Sequence, residues 1–459
     1  MSKTPETVGG KPKREQWGGR LGFILATAGS AVGMGNIMKF PWLTGTYGGA
    51  TFLLVYIIVM LVVGVGMLMC DFLIGRNGKA NAVDSYKKIS KKFAWMGYLG
   101  LFCCMLALSY YAVFGGWMLY YIVQSFFTLA NIDPASVGAF FSNFTGSVGG
   151  PLIGTVVFMV LTIVIVCGGI KGGIEKANKV MMPALIVILL FLVVRALTLP
   201  NAMEGVEFYL KPDFSLLSPA LIASAVGQVF FSLNIGTTGM VNYGSYLSDG
   251  ENVPKSTTWI VFTDFFVAFC AGLIVFPSAF SFGIDPGSGP ALLFVTLPSL
   301  FAQLPMSGLL NFLFFVLLLF ASLTSSISIL EIFVPFCIER APKKFTRTSA
   351  SWLGGAIAFV LAIPVSFSFG IWSDITFGGM TFFDLYDRFI CVIAYPLIAM
   401  CTAILVGWIW GKKNAVHAIS NGGTLNNQRL SNLWFFLVKW VCPIFLLFVV
   451  LVGLGVLGY

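Results

Sequence analysis

Runs of about 20 apolar residues, repeated along almost the whole chain, constrain the fold more than any other feature of this sequence. A helix needs a run of this length to cross the hydrocarbon of a bilayer, where only helices and closed barrels satisfy every backbone group. Of the 459 residues, 58% are hydrophobic and only 10% are charged, which is far from the usual composition of a soluble protein. The sequence therefore predicts an all-α polytopic membrane protein. Its eleven predicted transmembrane helices begin near Trp17, Gly49, Ala94, Pro151, Lys176, Leu216, Ser256, Ser307, Ser351, Phe382 and Asn432.

The basic residues orient these helices. If the N-terminus is cytoplasmic, nearly all loop lysines and arginines face the cytoplasm, and only Lys211 stands clear of the span ends on the other side. This asymmetry is the positive-inside pattern, and it predicts a multi-pass protein of the cell membrane with a cytoplasmic N-terminus and an extracytoplasmic C-terminus. The net charge of +9 needs no nucleic-acid partner, because basic loops facing anionic lipid headgroups account for it. Membrane lipid is therefore a predicted partner.

Polar chemistry typical of enzymes is not visible in the sequence. All nine cysteines fall inside or at the edge of predicted spans, which suggests neither a disulfide framework nor a metal cluster. The one histidine, His417, falls in a predicted basic cytoplasmic loop, and no nucleophile and base are paired, so an enzyme is not predicted. The first span is too long for a cleavable signal, and residues 1–16 are predicted to be a cytoplasmic tail.

The stretch "AGSAVGMGN", residues 28–36, interrupts the first predicted span with glycines at 29, 33 and 35. Each glycine weakens a helix by about 1 kcal/mol relative to alanine, so the stretch favours a local break. Small residues also let transmembrane helices pack closely, and this stretch alone leaves that interpretation open. A phosphate-binding loop is excluded, because the third glycine and the preceding strand are missing and no Gly-Lys-Ser/Thr follows.

A second interruption, "GQVFFSLNIGTTGM" at residues 227–240, places Asn234, Thr237 and Thr238 in the middle of the sixth predicted span. Paired breaks are typical of an inverted repeat whose binding site lies where the breaks meet. Irregular backbone at membrane depth survives only where it is buried in protein or lines a cavity. The predicted organisation is a tail (1–16), a first repeat of helices 1–5 (17–199), a second repeat of helices 6–10 (200–412), and a loop with helix 11 (413–459).

Several motifs, in a fixed order, resemble the neurotransmitter:sodium symporter family and in particular its bacterial amino-acid transporter branch. They are "REQWGGRLGFILATAGSAVGMGNIMKFPWL", "AVGQVFFSLNIG", "FASLTSSISI" and "FFDLYDRF", and the resemblance covers nearly the whole chain. It implies the leucine-transporter fold, in which helices 1–5 and 6–10 form an inverted repeat and helices 1 and 6 are unwound at the membrane midplane. It also implies a Na⁺-coupled symporter that imports a neutral, hydrophobic or bulky L-amino acid by alternating access.

The resemblance further implies two sodium sites made of oxygen atoms, the ligands that suit a hard cation. The first would use the carbonyl of Ala31, the side chains of Asn36, Ser232 and Asp264, and the substrate carboxylate. The second would use the carbonyls of Gly29, Val32 and Ala321 and the hydroxyls of Thr324 and Ser325. From the residues alone one alternative stays open, because serine and threonine in transmembrane helices commonly bond back to their own helix.

The implied substrate is a zwitterion, with its carboxylate on the N–H groups of Met34 and Gly35 and on the Tyr111 hydroxyl. Two positions depart from the leucine-selective pattern: Ala107 is small where a branched residue is usual, and Thr237 stands in place of a phenylalanine. The resemblance therefore implies a roomier and slightly more polar pocket. The implied substrate-binding residues are Ala31, Val32, Met34, Gly35, Ala107, Tyr111, Phe231, Ser232, Asn234, Thr237 and Ile329.

Two gates are implied as well. At the outer gate the family usually has an arginine, whereas this chain has Lys39 opposite Asp387. A lysine lacks the bidentate fork, so this gate is expected to be looser or bridged by water; a snorkelling lysine without a partner is the alternative. The implied gate residues are Lys39 and Asp387 outside, with Phe231 and Tyr111 as an aromatic lid, and Arg14, Glu339, Trp17 and Tyr246 on the cytoplasmic side.

The fifth predicted span carries a weaker signal. Gly173 and Pro183 enclose "IEKANKVMM", and both residue types weaken the helix around them. In the family this spacing permits local unwinding that admits water to the second sodium. A glycine followed by a proline at this distance is common, so the spacing by itself is only suggestive.

Chloride is predicted not to be required. Chloride-dependent relatives hold the halide with five polar residues, of which this chain keeps Tyr56, Gln228 and Ser232 but has Asp264 and Ala268 at the other two positions. A fixed carboxylate near a halide costs on the order of several kcal/mol at low dielectric unless it is protonated. Asp264 is therefore expected to replace the anion.

Two other functions remain as alternatives to a carrier. A passive ion or solute channel would need a continuous polar lining, whereas these spans concentrate their few polar groups near the middle. A non-transporting amino-acid sensor is the second alternative. The sequence leaves open the amino acid, the Na⁺ stoichiometry, proton counter-transport and the oligomeric state.

Overall fold

The computed structural model describes residues 7, 8, 11, 12, 15–283 and 292–453, so the predicted extracytoplasmic end at 454–459 lies outside the described residues. Nearly all of the described chain is helical. Its helices of six or more residues are α1 (Arg20–Ala31), α2 (Gly35–Thr46), α3 (Ala50–Gly78), α4 (Ala82–Ile89), α5 (Lys91–Gln124), α6 (Val137–Gly146), α7 (Gly149–Cys167), α8 (Ile170–Leu197), α9 (Ala202–Leu210), α10 (Pro219–Ser232), α11 (Gly239–Gly244), α12 (Val253–Ser281), α13 (Leu293–Ala302), α14 (Ser307–Arg340), α15 (Arg347–Phe367), α16 (Phe382–Ile419) and α17 (Gln428–Val452).

Nine of the described helices are long and apolar enough to cross a membrane: α3, α5, α7, α8, α12 and α14 to α17. The pair α1 and α2 forms a tenth candidate span that is bent by 51°. Near the sixth predicted span, α10 has 14 residues and is shorter than a span, and α11 follows it after a gap. The prediction of a multi-pass, helical membrane protein is confirmed.

Local sequence explains where several helices begin. The first N–H groups of a helix have no hydrogen-bond acceptor within the helix. A side chain at the preceding position therefore commonly accepts a hydrogen bond from one of them. At α15, Thr346 and Ser349 each accept a hydrogen bond from the other's backbone N–H, and Thr381 and Asp384 do the same at α16. These reciprocal caps fix the starts of two spans at polar residues of the preceding loops.

The core of the molecule is centred on α5 and α14. In their most apolar 18-residue windows, 83% and 78% of the residues are buried, compared with 33% in α17 and 39% in α7 and α8. On α5, the fully buried Trp117 packs edge-on against Phe294 and Phe369, at 5.3 Å and 4.9 Å between ring centroids. The outer helices keep exposed apolar side chains, as expected where a helix faces lipid.

Two details differ from the sequence predictions. Within the predicted tail, β1 (Thr7–Val8) and β2 (Lys11–Pro12) pair as two short antiparallel strands, and the all-α class of the molecule is unaffected. His417 lies on a helix, the last part of α16, and not in a loop. The reason is an apolar face at helical spacing: Ala415 and Ile419 are fully buried four residues apart.

Candidate functional site

The first interruption lies between α1 and α2. α1 ends at Ala31, the next residue has an extended backbone (φ −68°, ψ 101°), and the helix resumes at Gly35. Glycine also allows close approach here: a Cβ on Gly33 would lie 2.5 Å from Ser325 Oγ, and one on Gly35 would lie 2.8 Å from the ring of Phe231. Both interpretations of the glycines therefore apply, because the helix breaks and its neighbours pack tightly against the break.

The second interruption covers residues 233–238, between α10 and α11. Asn234, Gly236 and Thr238 have positive φ angles of 53°, 81° and 65°, which residues other than glycine adopt infrequently. A Cβ on Gly236 would clash with the carbonyl oxygen of Tyr395 on α16. This irregular backbone is thus packed against protein, which is the setting that a membrane protein requires for it.

Asn36 connects both interruptions to α12. Its amide donates to Ser232 Oγ at 3.0 Å and to Oδ1 of Asp264 at 2.7 Å, and its own oxygen accepts from the Gly33 N–H at 3.0 Å. The Ser232 hydroxyl donates to the Asp264 carboxylate at 2.8 Å. The side chains of Asn36, Ser232 and Asp264 are at most 1% exposed. The three side chains predicted for the first sodium site therefore meet in one cluster, whose oxygen atoms suit a hard cation.

Asp264 gives this cluster its electrostatic character. The hydrogen bonds to its carboxylate come from the neutral side chains of Asn36 and Ser232, and it is completely buried in the candidate span α12. An ionised carboxylate in such a place is costly unless a cation or a proton balances it. The arrangement is chemically suited to a monovalent cation.

Ser30 links the second interruption to the second predicted sodium site. Its carbonyl accepts from Asn234 Nδ2 at 2.6 Å and from Ser325 Oγ at 3.2 Å. The Thr324 hydroxyl instead donates to the carbonyl of Ala321 at 3.0 Å, on its own helix. Of the two predicted hydroxyl ligands, one reaches across to α1 and the other bonds back along α14. Of the three predicted carbonyl ligands, Gly29 and Val32 lie within two residues of Ser30 in the sequence, and Ala321 lies on α14.

The residues predicted to bind the substrate lie around the first interruption. The Tyr111 hydroxyl would be 3.3 Å from a Cβ on Gly33, and Phe231 packs on Gly35. Phe231 is half-buried, whereas Tyr111 is 6% exposed. The structure therefore places both lid aromatics over the same break. The other predicted contact residues on this side, Ala31, Val32, Met34, Ala107 and Ile329, are buried.

Thr237 forms hydrogen bonds within the second interruption and to α5. Its hydroxyl donates to the Asn234 carbonyl at 2.8 Å and accepts from the Gly239 N–H at 3.0 Å. The backbone carbonyl of Thr237 accepts from the thiol of Cys104 at 3.0 Å. The hydroxyl therefore holds the second interruption together, and the roomier, slightly more polar pocket that the resemblance implies stays a prediction.

At the predicted outer gate, Lys39 Nζ lies 3.6 Å from Asp387 Oδ2, an ion-pair separation longer than a short hydrogen bond. The same ammonium lies 4.5 Å from the centroid of the Phe231 ring, within cation–π range. The Cys391 thiol donates to the other Asp387 oxygen at 3.2 Å. Lys39 therefore has partners, and the alternative of an unpaired snorkelling lysine does not describe it.

On the opposite side, Trp17 and Tyr246 are in contact. Their ring centroids are 5.9 Å apart, and the backbone N–H of Trp17 donates a hydrogen bond to the Tyr246 carbonyl at 3.4 Å. Arg14, the predicted partner of Glu339, lies outside the described residues. The Glu339 carboxylate accepts from the backbone and side-chain N–H groups of Asn81, at 2.9 Å and 2.8 Å. Glu339 is thus held at the start of α4.

An ion cluster next to Tyr246 is not among the sequence predictions. Glu331, completely buried in α14, accepts from the Tyr246 hydroxyl at 2.7 Å and pairs with Arg347 at the start of α15. Arg347 also pairs with Glu15 at 3.3 Å, and Glu15 accepts from the Ile170 N–H at 2.7 Å. One feature of the sequence could have indicated this cluster. Glu331 is a glutamate inside an apolar span, and such a residue is a functional candidate by default.

Asn178 is a second residue that the sequence reasoning did not select. It is buried in α8, donates to the Ile174 carbonyl at 2.9 Å, and directs Oδ1 at Gly29 so closely that a Cβ there would clash. This oxygen has no hydrogen-bond partner among the described residues. The stretch between Gly173 and Pro183 that contains Asn178 is helical throughout. A free amide oxygen therefore lies beside a predicted sodium ligand.

Comparison with known proteins shows which family and which relatives this chain resembles. The family model of the sodium:neurotransmitter symporters matches residues 14–133 and 141–457. An uncharacterized sodium-dependent transporter of Bacillus subtilis (strain 168), YhdH, is 39% identical over 450 residues, which are 97% of this chain and 99% of that protein. A sodium- and chloride-dependent taurine transporter of Rattus norvegicus is 27% identical over 91% of this chain and 74% of its own length.

Among solved structures, the crystal structure of MhsT in complex with L-phenylalanine is similar to this chain. The TM-score is 0.89 at 36% sequence identity, and the alignment covers 96% of this chain and 100% of that one. At this level of similarity the two chains share one fold over nearly their whole length.

Proposed function

The chain belongs to the sodium:neurotransmitter symporter family, and on that premise we propose that it is a Na⁺-coupled importer of a neutral, hydrophobic or bulky L-amino acid. The observation that carries the proposal is the junction of the two interruptions. Asn36, Ser232 and Asp264 form one buried oxygen-rich cluster there, and Asn234 and Ser325 meet at the Ser30 carbonyl.

The proposed topology has eleven spans. We count α1 with α2 as the first span and α10 with α11 as the sixth, each unwound at the membrane midplane. The repeats 17–199 and 200–412 then have opposite orientations, with residues 1–16 as a cytoplasmic tail and 413–459 as a loop and the last span. The basic residues of the loops support a cytoplasmic N-terminus and an extracytoplasmic C-terminus.

The cluster at Asp264 is the proposed first sodium site. Ala31 would add a carbonyl, and the carboxylate of the substrate would complete the shell beside Asn36. Ser325, Thr324 and the carbonyls of Gly29, Val32 and Ala321 are the proposed second site. The support for both sites is the chemistry of the donors, since all of them are hard oxygen atoms, contributed by the helix breaks and by the continuous helices α12 and α14.

The amino acid is proposed to bind where Tyr111 and Phe231 cover the first interruption. Free N–H groups at the start of α2, on Met34 and Gly35, suit its carboxylate, because the N-terminus of a helix favours an anion. Carbonyls of residues 231–234 would take its ammonium. The solved relative with L-phenylalanine supports a bulky side chain for the substrate.

Alternating access is proposed to use the two sets of charged contacts. On the outer side, Lys39 with Asp387 and Phe231 would close the site after substrate has bound. On the cytoplasmic side, Trp17, Tyr246 and the pair Glu331–Arg347 would have to separate before release. Each set holds the end of a broken helix, so opening one while the other stays closed moves the site between the two sides.

A competition experiment tests the substrate class. Uptake of a labelled aromatic amino acid into proteoliposomes is measured with each of the twenty amino acids as competitor, with and without Na⁺. Large neutral L-amino acids are expected to compete in Na⁺ only. Competition that is equal for charged and neutral amino acids would contradict the proposed class, and binding without uptake would favour the sensor.

A further inference from the structure

A cleft far from the transport site opens between the end of α16 and the start of α17. Its volume is about 700 Å³. Three of its lining residues carry basic side chains, and the others are polar or small, with no acidic residue among them. The lining residues are Lys412, Lys413, Asn414, Val416, His417, Ser420, Gly423 and Gln428.

The backbone around this cleft is fixed by buried contacts. Arg76, 8% exposed at the end of α3, donates to the Ala418 carbonyl and to Asn421 Oδ1 at 2.8 Å. The turn after α16 needs Gly422 and Gly423, whose φ angles are 72° and 90°. A Cβ on Gly422 would lie 3.6 Å from the ring of His417, so the turn packs over the imidazole. The cleft is therefore a formed feature of the surface.

The cleft lies at the membrane boundary. The 29 residues from 382 to 410 of α16 extend about 43 Å, more than the roughly 30 Å of hydrocarbon, so the lysines that follow are outside it. Gly411, with φ 79°, then changes the path of the chain directly before Lys412. In the topology proposed above, this side is cytoplasmic.

Two tryptophans and a lysine mark the same boundary one helical turn away. The rings of Trp408 and Trp440 are 5.5 Å apart, and each is about half exposed. Lys439 Nζ lies 5.7 Å and 5.2 Å from their centroids, and its backbone packs on Gly407. Exposed tryptophans and lysines of this kind are typical of the headgroup level of a bilayer.

A lipid-facing apolar stripe leads to this point along α17. Its exposed members recur at helical spacing and are large, with exposed fractions from 48% to 67%. From the tryptophan level into the bilayer they are Trp440, Ile444 and Leu447, and Leu430, Leu433 and Phe436 continue the same face beside the cleft. A ligand that touches the stripe and the cleft together would need an apolar tail and an anionic head.

We propose that the cleft is a binding site for the phosphate headgroup of an anionic phospholipid, whose acyl chains lie along the exposed stripe of α17. Lys412 and Lys413 bind the phosphate, and Trp408 and Trp440 contact the lipid where headgroup and chains meet. Lys439 adds a cation at the same level. The inference uses only the proposed sidedness of the protein and makes no use of the transport site.

Quenching by brominated lipid tests this directly in proteoliposomes. Phosphatidylglycerol and phosphatidylcholine with the same brominated chains are compared, and the signal of Trp408 and Trp440 is taken as the difference from the variant Trp408→Phe/Trp440→Phe. We expect the pair to prefer phosphatidylglycerol. In Lys412→Gln/Lys413→Gln the preference is expected to fall by about 25-fold, since each lysine near an anionic lipid contributes about fivefold.

The control is Lys91→Gln/Lys92→Gln, which removes the same charge from two other exposed lysines near the same side of the membrane. It should leave the preference unchanged. Equal quenching by the two lipids, or the same loss in both double variants, would overturn the proposal. Equal quenching by the two lipids, together with binding of inorganic phosphate that is lost in Lys412→Gln/Lys413→Gln, would assign the cleft to free phosphate and overturn the lipid proposal. Na⁺-dependent uptake is measured separately, so failure of this inference leaves the proposed function standing.

Discussion

At the scale of single residues, the proposed sodium sites depend on oxygen atoms that have different hydrogen-bonding partners in the structure. Ser325 donates across to α1, whereas its neighbour Ser326 donates to the Ser322 carbonyl at 2.8 Å within α14. The two serines are equally buried, at 1% and 0% exposure. They therefore form a matched pair in which only one hydroxyl faces the proposed site.

This pair gives the first prediction. Ser325→Ala, like Asn36→Ala, is expected to reduce Na⁺-dependent uptake at least tenfold while the folded protein is recovered in normal amounts, because each change removes a sodium ligand. Ser326→Ala should transport normally. The measurement is initial uptake over a series of Na⁺ concentrations, and normal Na⁺ dependence in both ligand variants would exclude the sodium-site assignment.

Lys39 supports a second prediction. Lys39→Arg supplies two parallel donors to Asp387, where the lysine lies 3.6 Å from one oxygen. We expect a slower opening of the outer gate, seen as a changed ratio of exchange to net uptake, with substrate affinity altered less than about threefold. Lys211→Arg, on an exposed pair with Glu207, is the control. Identical exchange and net rates in both arginine variants would argue against a gating role.

Asp264 supports a third prediction, which concerns chloride. Because a carboxylate already occupies the place proposed to balance Na⁺, replacing chloride with gluconate should leave uptake unchanged. Asp264→Asn combined with Ala268→Ser is expected to create a chloride requirement. Ala268→Ser alone, which keeps the carboxylate, serves as its control. Transport by the unaltered protein that stops in gluconate would show that the charge argument is wrong.

At the scale of secondary-structure elements, the second interruption depends on glycine. Gly236→Ala would place a Cβ against the Tyr395 carbonyl at a φ of 81°. We expect a loss of about 1–3 kcal/mol in stability, measured as a lower thermal transition in detergent. Gly250→Ala, at a position with open space around it, should change the transition little. Equal shifts in the two variants would show that this break tolerates a side chain.

The elements also show what the sequence encodes. Some helices, such as α16 at Phe382, begin where the sequence predicts a span. Their position is predictable because the length and the apolar character of a segment determine whether it is buried in lipid. The helical end of α16 depends on two buried residues, Ala415 and Ile419, four apart, a pattern too short to separate from a basic loop. The Glu331–Arg347 pair could not be derived, since its partners are 16 residues apart and on different helices.

At the scale of the whole molecule, the cluster of Glu15, Glu331 and Arg347 connects the N-terminal segment with α8, α14 and α15, on the side proposed to be cytoplasmic. Removing one partner of a buried pair leaves an uncompensated charge, at a cost of about 3–5 kcal/mol. Arg347→Gln is therefore expected to loosen the segment at 15–22, measured as faster amide hydrogen exchange there. Arg195→Gln, at a partly buried arginine that donates to the Thr198 hydroxyl at the other end of α8, is the control. Unchanged amide hydrogen exchange at 15–22 in Arg347→Gln would show that this cluster does not hold the proposed gate closed.

The central claim is that energy from Na⁺ drives the accumulation of an amino acid through this fold. The most direct measurement is the uptake of the amino acid identified by competition into proteoliposomes with an inward Na⁺ gradient and equal amino-acid concentrations on both sides. The account predicts saturable accumulation above equilibrium that stops when a Na⁺ ionophore dissipates the gradient. Equilibration without accumulation, or a non-saturating ohmic current, would contradict it.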